Sequence, residues 1–284
     1  MTGAGGMLGQ ALLRAGERAG HELTGLTRAE LDITEEAQVQ EAIARLAPDA
    51  VLNCAAWTDV DGAETHRDEA HAINVDGAGN IARAAAAARV RLVHVSTDYV
   101  FDGEPPAGAG GPRAYLESDR TGPRSVYGES KLAGEQAVLA ASRTHTVART
   151  SWLFGSGARN FVETMLALAC ERDMVQVVVD QAGCPTWAGH LAPALIGLLE
   201  RDVGGLVHLA GTGHVSWHDF AVEIFRQAEL ACEVQEATSA QMARPAPRPP
   251  WSALESERAD VLPLPPWQDG LAGFLAARAG TLRD

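Results

Sequence analysis

The sequence predicts an α/β protein built on a doubly wound parallel sheet. In the first two thirds of the chain, short apolar runs alternate with segments of helical pattern. Residues 51–56 (VLNCAA) and 91–96 (RLVHVS) have the composition of strands, whereas residues 72–88 and 130–141 have the pattern of helices. Such alternation is typical of a parallel sheet with helices on its faces. Beyond about residue 150 proline and tryptophan become more frequent, which predicts a smaller second domain.

Composition excludes several classes of function. The chain has 284 residues and a formal charge of -14, which opposes binding to nucleic acid or to anionic membranes. No stretch approaches the roughly 20 apolar residues that a membrane span requires, and the first residues do not resemble a signal peptide. The four cysteines and nine histidines show no metal-binding spacing. We therefore expect a cytoplasmic protein without a metal site.

The chain opens on a glycine-rich loop, Thr2-Gly-Ala-Gly-Gly-Met-Leu-Gly9, followed by a helical pattern. Glycines at this spacing let the backbone approach a pyrophosphate at a helix N-terminus, which predicts a Rossmann-type NAD(P) site. We expect Gly3, Gly6, Met7 and Leu8 to contact the cofactor. The strand that usually precedes such a loop is missing, so we expect the native start to lie upstream, with about five more apolar residues.

The residue about 20 positions after the loop distinguishes NAD from NADP. An acidic residue there favours the ribose of NAD, but this chain has Thr27 followed by Arg28. Arg28 therefore favours NADPH, with NADH as the alternative. A solvated loop arginine is the other interpretation.

Tyr127 and Lys131 lie four residues apart, a spacing that places both side chains on one face of a helix. Lys131 is the only lysine among 23 lysines and arginines, so we expect a compact ammonium to be required there. Such a cation can bond ribose hydroxyls and stabilise the anion of a neighbouring phenol. We expect Tyr127 to be the proton donor and Lys131 its partner, although a chance helical pair is the alternative.

Thr97 follows the apolar strand that ends at Val95, at the carboxyl edge where open parallel sheets bind their ligands. Its hydroxyl can polarise a substrate carbonyl, so we include it among the catalytic residues. A turn that satisfies the strand end is the structural alternative. Residues 102–113 (DGEPPAGAGGPR) then concentrate glycine and proline and predict a mobile loop beside this edge.

The ordered motifs TGxxGxxG, STDYVF and YGESK resemble those of the extended short-chain dehydrogenases. Further matches across nearly the whole chain, among them 149–155 (RTSWLFG) and 248–254 (RPPWSAL), narrow the resemblance to the dTDP-4-dehydrorhamnose reductases. The resemblance implies an NAD(P)-binding Rossmann domain over 1–150 with a returning segment near 187–212. Residues 151–284 would mainly bind substrate.

The resemblance also implies roles for residues that match the family motifs. The cofactor site would include Asp32 and Ile33 beside the adenine and Ala56, Trp57 and Thr58 along the cleft. The substrate site would be formed by the following residues: Thr97, Asp98, Trp152, Asn160 and Arg248. Lys131 would hold the nicotinamide ribose.

The reaction implied is reduction of the C4 keto group of dTDP-4-dehydro-L-rhamnose by NADPH, with Tyr127 protonating O4 to give dTDP-L-rhamnose. No metal is needed, and Gln10 and Ala11 replace the acid-rich segment through which some family members pair. We therefore expect a monomer or a weak homodimer. The insertion at 102–113 could tune the choice of sugar.

Three alternatives to this function remain open. The chain could reduce a related dTDP-4-keto-6-deoxy sugar, because such sugars differ by one hydroxyl or its configuration. It could be a sugar-nucleotide epimerase or dehydratase, although dehydratases carry a second acid beside the catalytic threonine, where this chain has Tyr99. It could also be a non-catalytic, NADP-binding regulatory subunit, which the intact Thr97, Tyr127 and Lys131 disfavour.

Overall fold

The computed structural model describes residues 1–108 and 111–281 and confirms the doubly wound parallel sheet. The strands in chain order are Ala50–Asn53 (β1), Arg91–Thr97 (β2), Ala107–Gly108 (β3), Gly111–Pro112 (β4), Thr146–Thr150 (β5), Leu153–Phe154 (β6), Met174–Val178 (β7), Ala182–Gly183 (β8), Thr186–Trp187 (β9), Gly205–His208 (β10), Val215–Ser216 (β11) and Glu233–Ala237 (β12). The main sheet has the order β1-β2-β5-β10, and all its pairs are parallel.

Ten α-helices lie within the described residues. They are Met7–Ala19 (α1), Glu36–Leu46 (α2), Val60–Ala63 (α3), Arg67–His71 (α4), Ala78–Ala87 (α5), Val126–Ala141 (α6), Phe161–Glu171 (α7), Ala188–Glu200 (α8), Trp217–Gln227 (α9) and Trp267–Thr281 (α10). The described part of the chain contains no helix that is long and apolar enough to cross a membrane.

Two apolar clusters cover the faces of the main sheet. Successive side chains of a strand point to opposite faces, so Leu52 packs with α1 and α8 while Val51 packs with α2 and α5. The segment after β9 thus returns to the main sheet: α8 lies against α1, and β10 pairs with β5. A third, aromatic cluster joins α7, α9 and α10 outside this sheet.

Thr2 continues the main sheet past β1. It forms parallel bridges to Leu26 on one side and to Asn53 on the other, so it occupies the position of the strand expected before the glycine loop. Next to Thr2 lies a cavity of about 630 Å³. Its apolar lining includes Leu23, Leu26, Val39, Ile43, Val51, Ile81, Ile196 and Leu199.

Two local structures differ from the expected pattern. The helix expected over 72–88 begins with a π-helical turn, Ala72–Gly77, before α5. The glycine- and proline-rich stretch 102–113 was expected to lack regular structure, but β3 and β4 form a short antiparallel hairpin in it. The phenol of Tyr115 stabilises the base of this hairpin, because it lies in hydrogen-bonding contact with the Asp102 carboxylate and the Glu104 carbonyl. Residues 109 and 110 lie outside the described residues.

Candidate active site

Helix α6 carries Tyr127 and Lys131 and is seated by close backbone contacts. Ser125 caps its start by accepting a hydrogen bond from the amide of Gly128 at 3.1 Å. A Cβ on Gly128 would lie 2.3 Å from the carbonyl oxygen of Tyr99, and one on Gly134 would lie 2.1 Å from that of Asn74. Only glycine permits such approaches, so these two positions fix α6 against the end of β2 and the π-helical turn.

Tyr127 is half-buried, with its ring edge-to-face against Tyr99 at a centroid distance of 5.5 Å. Burial raises the pKa of Tyr127 to about 12, and a side-chain hydrogen bond with Thr97 opposes that rise. We expected Lys131 to stabilise the phenolate, but it is not among the groups that shift this pKa. The phenol therefore stays protonated at neutral pH, as a proton donor requires.

The strand β2 extends past Val95 to Thr97, and Asp98 begins the 3₁₀ turn that follows it, beside Tyr127. The Thr97 hydroxyl donates to the Asp98 carboxylate at 3.0 Å and accepts from the amide of Tyr99 at 3.2 Å. Asp98 is buried, and burial raises its pKa to about 6 despite hydrogen bonds from Ser252, Thr97 and Ser151. The Thr97 hydroxyl thus interacts with both the Asp98 carboxylate and the phenol of Tyr127.

Lys131 is buried and donates to the carbonyl of Val95 at 2.7 Å. Its Nζ also lies 3.5 Å from Nε2 of His94. Burial lowers the pKa of Lys131 to about 8, and the carboxylate of Glu135 opposes the change. Glu135 itself is held by Arg149 through a buried bidentate pair at 2.9 and 2.7 Å.

The glycine loop fits a cofactor pyrophosphate. Gly3 has a φ of 71°, and a Cβ there would lie 2.7 Å from the amide nitrogen of Ala55, so only glycine lets the loop approach the backbone after β1 so closely. Gly6 caps α1 without any side-chain hydrogen bond, and no acidic residue lies in the first turn. The exposed backbone of Gly5 and Gly6 therefore presents the positive end of α1 to an anion.

The residues expected around the adenine lie beside the loop after Leu26. Arg28 is exposed. Asp32 accepts hydrogen bonds from the amide and hydroxyl of Thr34, which lower its pKa. The side chain of Ile33 is buried in the core beneath Gly77, so only its backbone can face a nucleotide.

The segment after β1 runs along the proposed cleft. Ala56 and Trp57 are half-buried and Thr58 is exposed. The amide of Trp57 donates to Oδ1 of Asn74 at 2.9 Å, and Asn74 in turn donates to Ser130 of α6 at 2.9 Å. Asn74 lies in the π-helical turn, a distortion frequently found at functional sites.

Two residues expected to contact substrate lie just before β6 and α7. Trp152 has a φ of 45°, which is unusual for a bulky residue, and its indole stacks on Trp217 at a centroid distance of 3.4 Å. Asn160 instead caps α7: it accepts from the amide of Glu163 and donates to the carbonyls of Gly155 and Ala158. Its side-chain groups are thus already used within the chain.

Arg248 is joined to Asp61, 187 residues earlier, at 2.5 and 3.0 Å. This arginine is 16% exposed along its side chain, whereas the nearby Arg244 is 62% exposed and lies 3.6 Å from the same carboxylate. The pair connects the segment after β1 to the long loop before α10. Asp61 was not among the predicted site residues, and neither were His94, Asn53 and Asn74.

No group of three or more His, Cys, Asp or Glu side chains in residues 1–108 and 111–281 is arranged to hold a metal ion. The four cysteines are free.

Comparison with known proteins identifies the family of the chain. Residues 1–279 match the family described as the RmlD substrate binding domain. The chain belongs to the RmlD family. Membership confirms the resemblance inferred from the motifs. The dTDP-4-dehydrorhamnose reductase of Mycobacterium tuberculosis (strain CDC 1551 / Oshkosh) is 44% identical over 287 residues, covering 99% of this chain and 93% of the relative.

Two further relatives bear on cofactor and substrate. The dTDP-4-dehydrorhamnose reductase of Bacillus anthracis str. Ames, whose crystal structure is a complex with NADP, has a TM-score of 0.92 and 36% identity, with 97% of each chain covered. A Streptomyces antibioticus protein named probable dTDP-4,6-dihydroxy-2-methyloxan-3-one 4-ketoreductase is 40% identical over 277 residues, covering 95% of this chain and 92% of that protein.

Proposed function

We propose that this RmlD family protein reduces the C4 keto group of dTDP-4-dehydro-L-rhamnose to give dTDP-L-rhamnose, with NADPH as reductant. The observation that carries the proposal is the half-buried Tyr127 in hydrogen-bonding range of Thr97, on the helix that also carries Lys131. Relatives at 41–44% identity over nearly the whole chain are named as reductases of this sugar. The same geometry suits a proton donor for a keto oxygen.

The chain's own residues would hold the cofactor along the carboxyl edge of the main sheet. The uncapped start of α1 binds the pyrophosphate, and Lys131 reaches the ribose next to the nicotinamide. When bound, NADPH supplies the hydride that reduces C4. Arg28, which is exposed, would bind the 2′-phosphate and so favour NADPH over NADH.

Tyr127 supplies the proton. Its pKa near 12 keeps the phenol protonated until negative charge develops on O4 of the sugar, when transfer of the proton becomes favourable. Thr97, which interacts with both the Asp98 carboxylate and the phenol, orients the hydroxyl of Tyr127. Lys131, with a pKa of about 8, is mostly charged at neutral pH, so its ammonium can bond the hydroxyls of the nicotinamide ribose.

The second half of the chain would supply the nucleotide and sugar contacts. Arg248 is held in place by Asp61 and offers its guanidinium to the dTDP end. The Trp152 indole, fixed by stacking on Trp217, offers a flat apolar surface to the sugar or base. Asn160 contributes indirectly, because it fixes the start of α7 through its cap.

Turnover with the defined sugar tests the proposal. The purified chain is mixed with NADPH and dTDP-4-dehydro-L-rhamnose, the loss of cofactor absorbance is followed, and the product is identified by NMR. We expect stoichiometric formation of dTDP-L-rhamnose, with NADH giving a lower kcat/KM than NADPH. Binding of NADPH without turnover of any dTDP-linked 4-keto sugar would instead identify a regulatory subunit.

A related keto sugar is the second candidate substrate, favoured by the likeness to the Streptomyces antibioticus 4-ketoreductase. The insertion with its β3–β4 hairpin adjoins the end of β2, where the sugar would bind. Polar contacts, which discriminate strongly among such sugars, could therefore differ here. A panel of dTDP-4-keto-6-deoxy sugars compared by kcat/KM separates the two candidates.

A further inference from the structure

Behind Lys131 lies a chain of buried polar side chains that the proposed reaction does not use. Asn53, at the end of β1, accepts hydrogen bonds on Oδ1 from the backbone amide of Ala55 at 3.1 Å and from the hydroxyl of Thr2 at 2.6 Å. A backbone amide can only donate, so the oxygen of the Asn53 amide must face Ala55. The NH2 group of Asn53 therefore faces the other way, toward His94.

The orientation of Asn53 determines the protonation of His94. Nδ2 of Asn53 lies 2.9 Å from Nδ1 of His94, and because the amide nitrogen donates, Nδ1 must accept. The neutral imidazole then carries its proton on Nε2. A charged imidazolium is excluded, since it would turn a second N–H against the Asn53 NH2 group. Burial and the charge of Lys131 likewise keep the pKa of His94 well below its ordinary value.

We propose that His94 is a positioning residue for Lys131. Because Asn53 holds His94 as the Nε2-protonated tautomer, His94 presents an N–H to the Lys131 amine. The protons of the amine therefore point away from His94. Nε2 lies 3.5 Å from Nζ, a distance at which two donors face each other without bonding. One proton of Lys131 goes to the carbonyl of Val95 at 2.7 Å. The others are directed away from His94, toward the cleft where the proposed function places the ribose, and the inference rests on that function for its catalytic meaning.

The other ionisable groups that face Lys131 do not account for the orientation of its protons. On α6, Glu135 lies one turn further along the helix and raises the pKa of Lys131, but its charge is shared with Arg149. Cys54, after β1, has its pKa raised by burial to about 12 and so stays neutral. Tyr127, one turn earlier on α6, is protonated at neutral pH.

The single lysine of the chain allows a direct test. Protein labelled with ¹³C at Cε of lysine, on a lysine-free tag, gives one signal that reports the titration of Lys131 in the full chain. We compare wild type with His94→Gln, whose amide can turn a carbonyl oxygen toward the amine and stabilise the ammonium. The matched control is His145→Gln, a fully buried histidine that bonds the Ala82 carbonyl away from the cleft.

We expect a midpoint of about 8 in wild type and in His145→Gln, and an increase of about one pH unit in folded His94→Gln. Imidazole ¹⁵N shifts of wild-type His94 should report the Nε2-protonated tautomer from about pH 5 to about pH 9. A proton on Nδ1 of His94, or an unchanged lysine midpoint in folded His94→Gln, overturns the inference. If His94→Gln does not fold, the tautomer of His94 in the wild type decides whether the inference holds. Neither readout needs turnover, so an inactive wild type would contradict the proposed function only.

Discussion

The hydroxyl of Thr97 donates to the carboxylate of Asp98 at 3.0 Å, although the two residues are consecutive and both are buried. The same hydroxyl forms a side-chain hydrogen bond with Tyr127 that opposes the rise of the Tyr127 pKa, so the bond joins the carboxylate to the catalytic phenol. It also keeps a carboxylate within the protein interior, where burial raises its pKa to about 6. Orientation of the catalytic phenol is thus linked to the ionisation of Asp98.

The first prediction concerns stability against pH. A carboxyl whose pKa is raised by folding destabilises the folded state once it ionises, so wild type loses stability as the pH rises from about 4 to about 6. Asp98→Asn avoids that loss and should be more stable at pH 8 by about 2 kcal/mol. Urea denaturation at pH 4 and pH 8 measures this. Asp76→Asn, at an exposed position, is the control. If Asp98→Asn differs from wild type in free energy of unfolding by the same amount at both pH values, the argument is contradicted.

A second prediction concerns the close packing of α6 against the residues after β2. In Gly128→Ala the added Cβ would lie 2.3 Å from the Tyr99 carbonyl oxygen, so α6 must shift and carry Tyr127 with it. We expect kcat to decrease by about 100-fold, as a displacement of about 1 Å can cause. Gly197→Ala is the matched helical control, since its nearest neighbour is a flexible arginine at 3.6 Å. Equal activity of the two variants in steady-state assays would refute the close-contact account.

Removal of Arg248 should separate binding from chemistry. Arg248→Ala deletes a charge-assisted contact to the nucleotide end, so KM for the dTDP sugar should rise by about 10-fold or more while kcat changes little. Arg244→Ala, which removes a mostly exposed neighbour of the same carboxylate, should change KM far less. Initial rates over a range of sugar concentrations distinguish these results. A loss confined to kcat would place Arg248 elsewhere in the reaction.

The cavity beside Thr2 predicts a gain of stability. Five apolar residues placed before Thr2 would extend the strand that Thr2 forms between Leu26 and Asn53 and would fill the 630 Å³ cavity next to Thr2. Burial of several such side chains should raise Tm by about 5 °C or more. A glycine- and serine-rich extension of equal length serves as the control. If both extensions shift Tm equally in calorimetry, the cavity does not accept a strand.

The sequence predicted the parts of the fold and site that have a local signature. Alternating strands and helices gave the parallel sheet, and the four-residue spacing gave the common helix of Tyr127 and Lys131. The glycine loop also lies where its pattern placed it, at the start of α1. Each of these depends on residues that are close in the chain.

The parts of the fold and site that the sequence did not predict depend on contacts between residues that are distant in the chain. The pair Asp61–Arg248 and the contact of His94 with Lys131 join different elements, so no local pattern shows them. Asn160 could be either a ligand contact or a helix cap, because the same amide serves both, and the structure assigns it to the cap. A buried asparagine such as Asn53, after an apolar strand, was the one available signal of the polar chain behind Lys131.

The central claim is that Tyr127 protonates the keto oxygen during NADPH-dependent reduction, and one comparison tests it most directly. Rates with dTDP-4-dehydro-L-rhamnose are measured for wild type, Tyr127→Phe and Tyr115→Phe, the last removing a phenol that bonds Asp102 in the hairpin base. We predict a decrease in kcat of about 10²- to 10⁴-fold for Tyr127→Phe, with NADPH affinity largely kept, and near wild-type kcat for folded Tyr115→Phe. Equal rates for wild type and Tyr127→Phe would contradict the account.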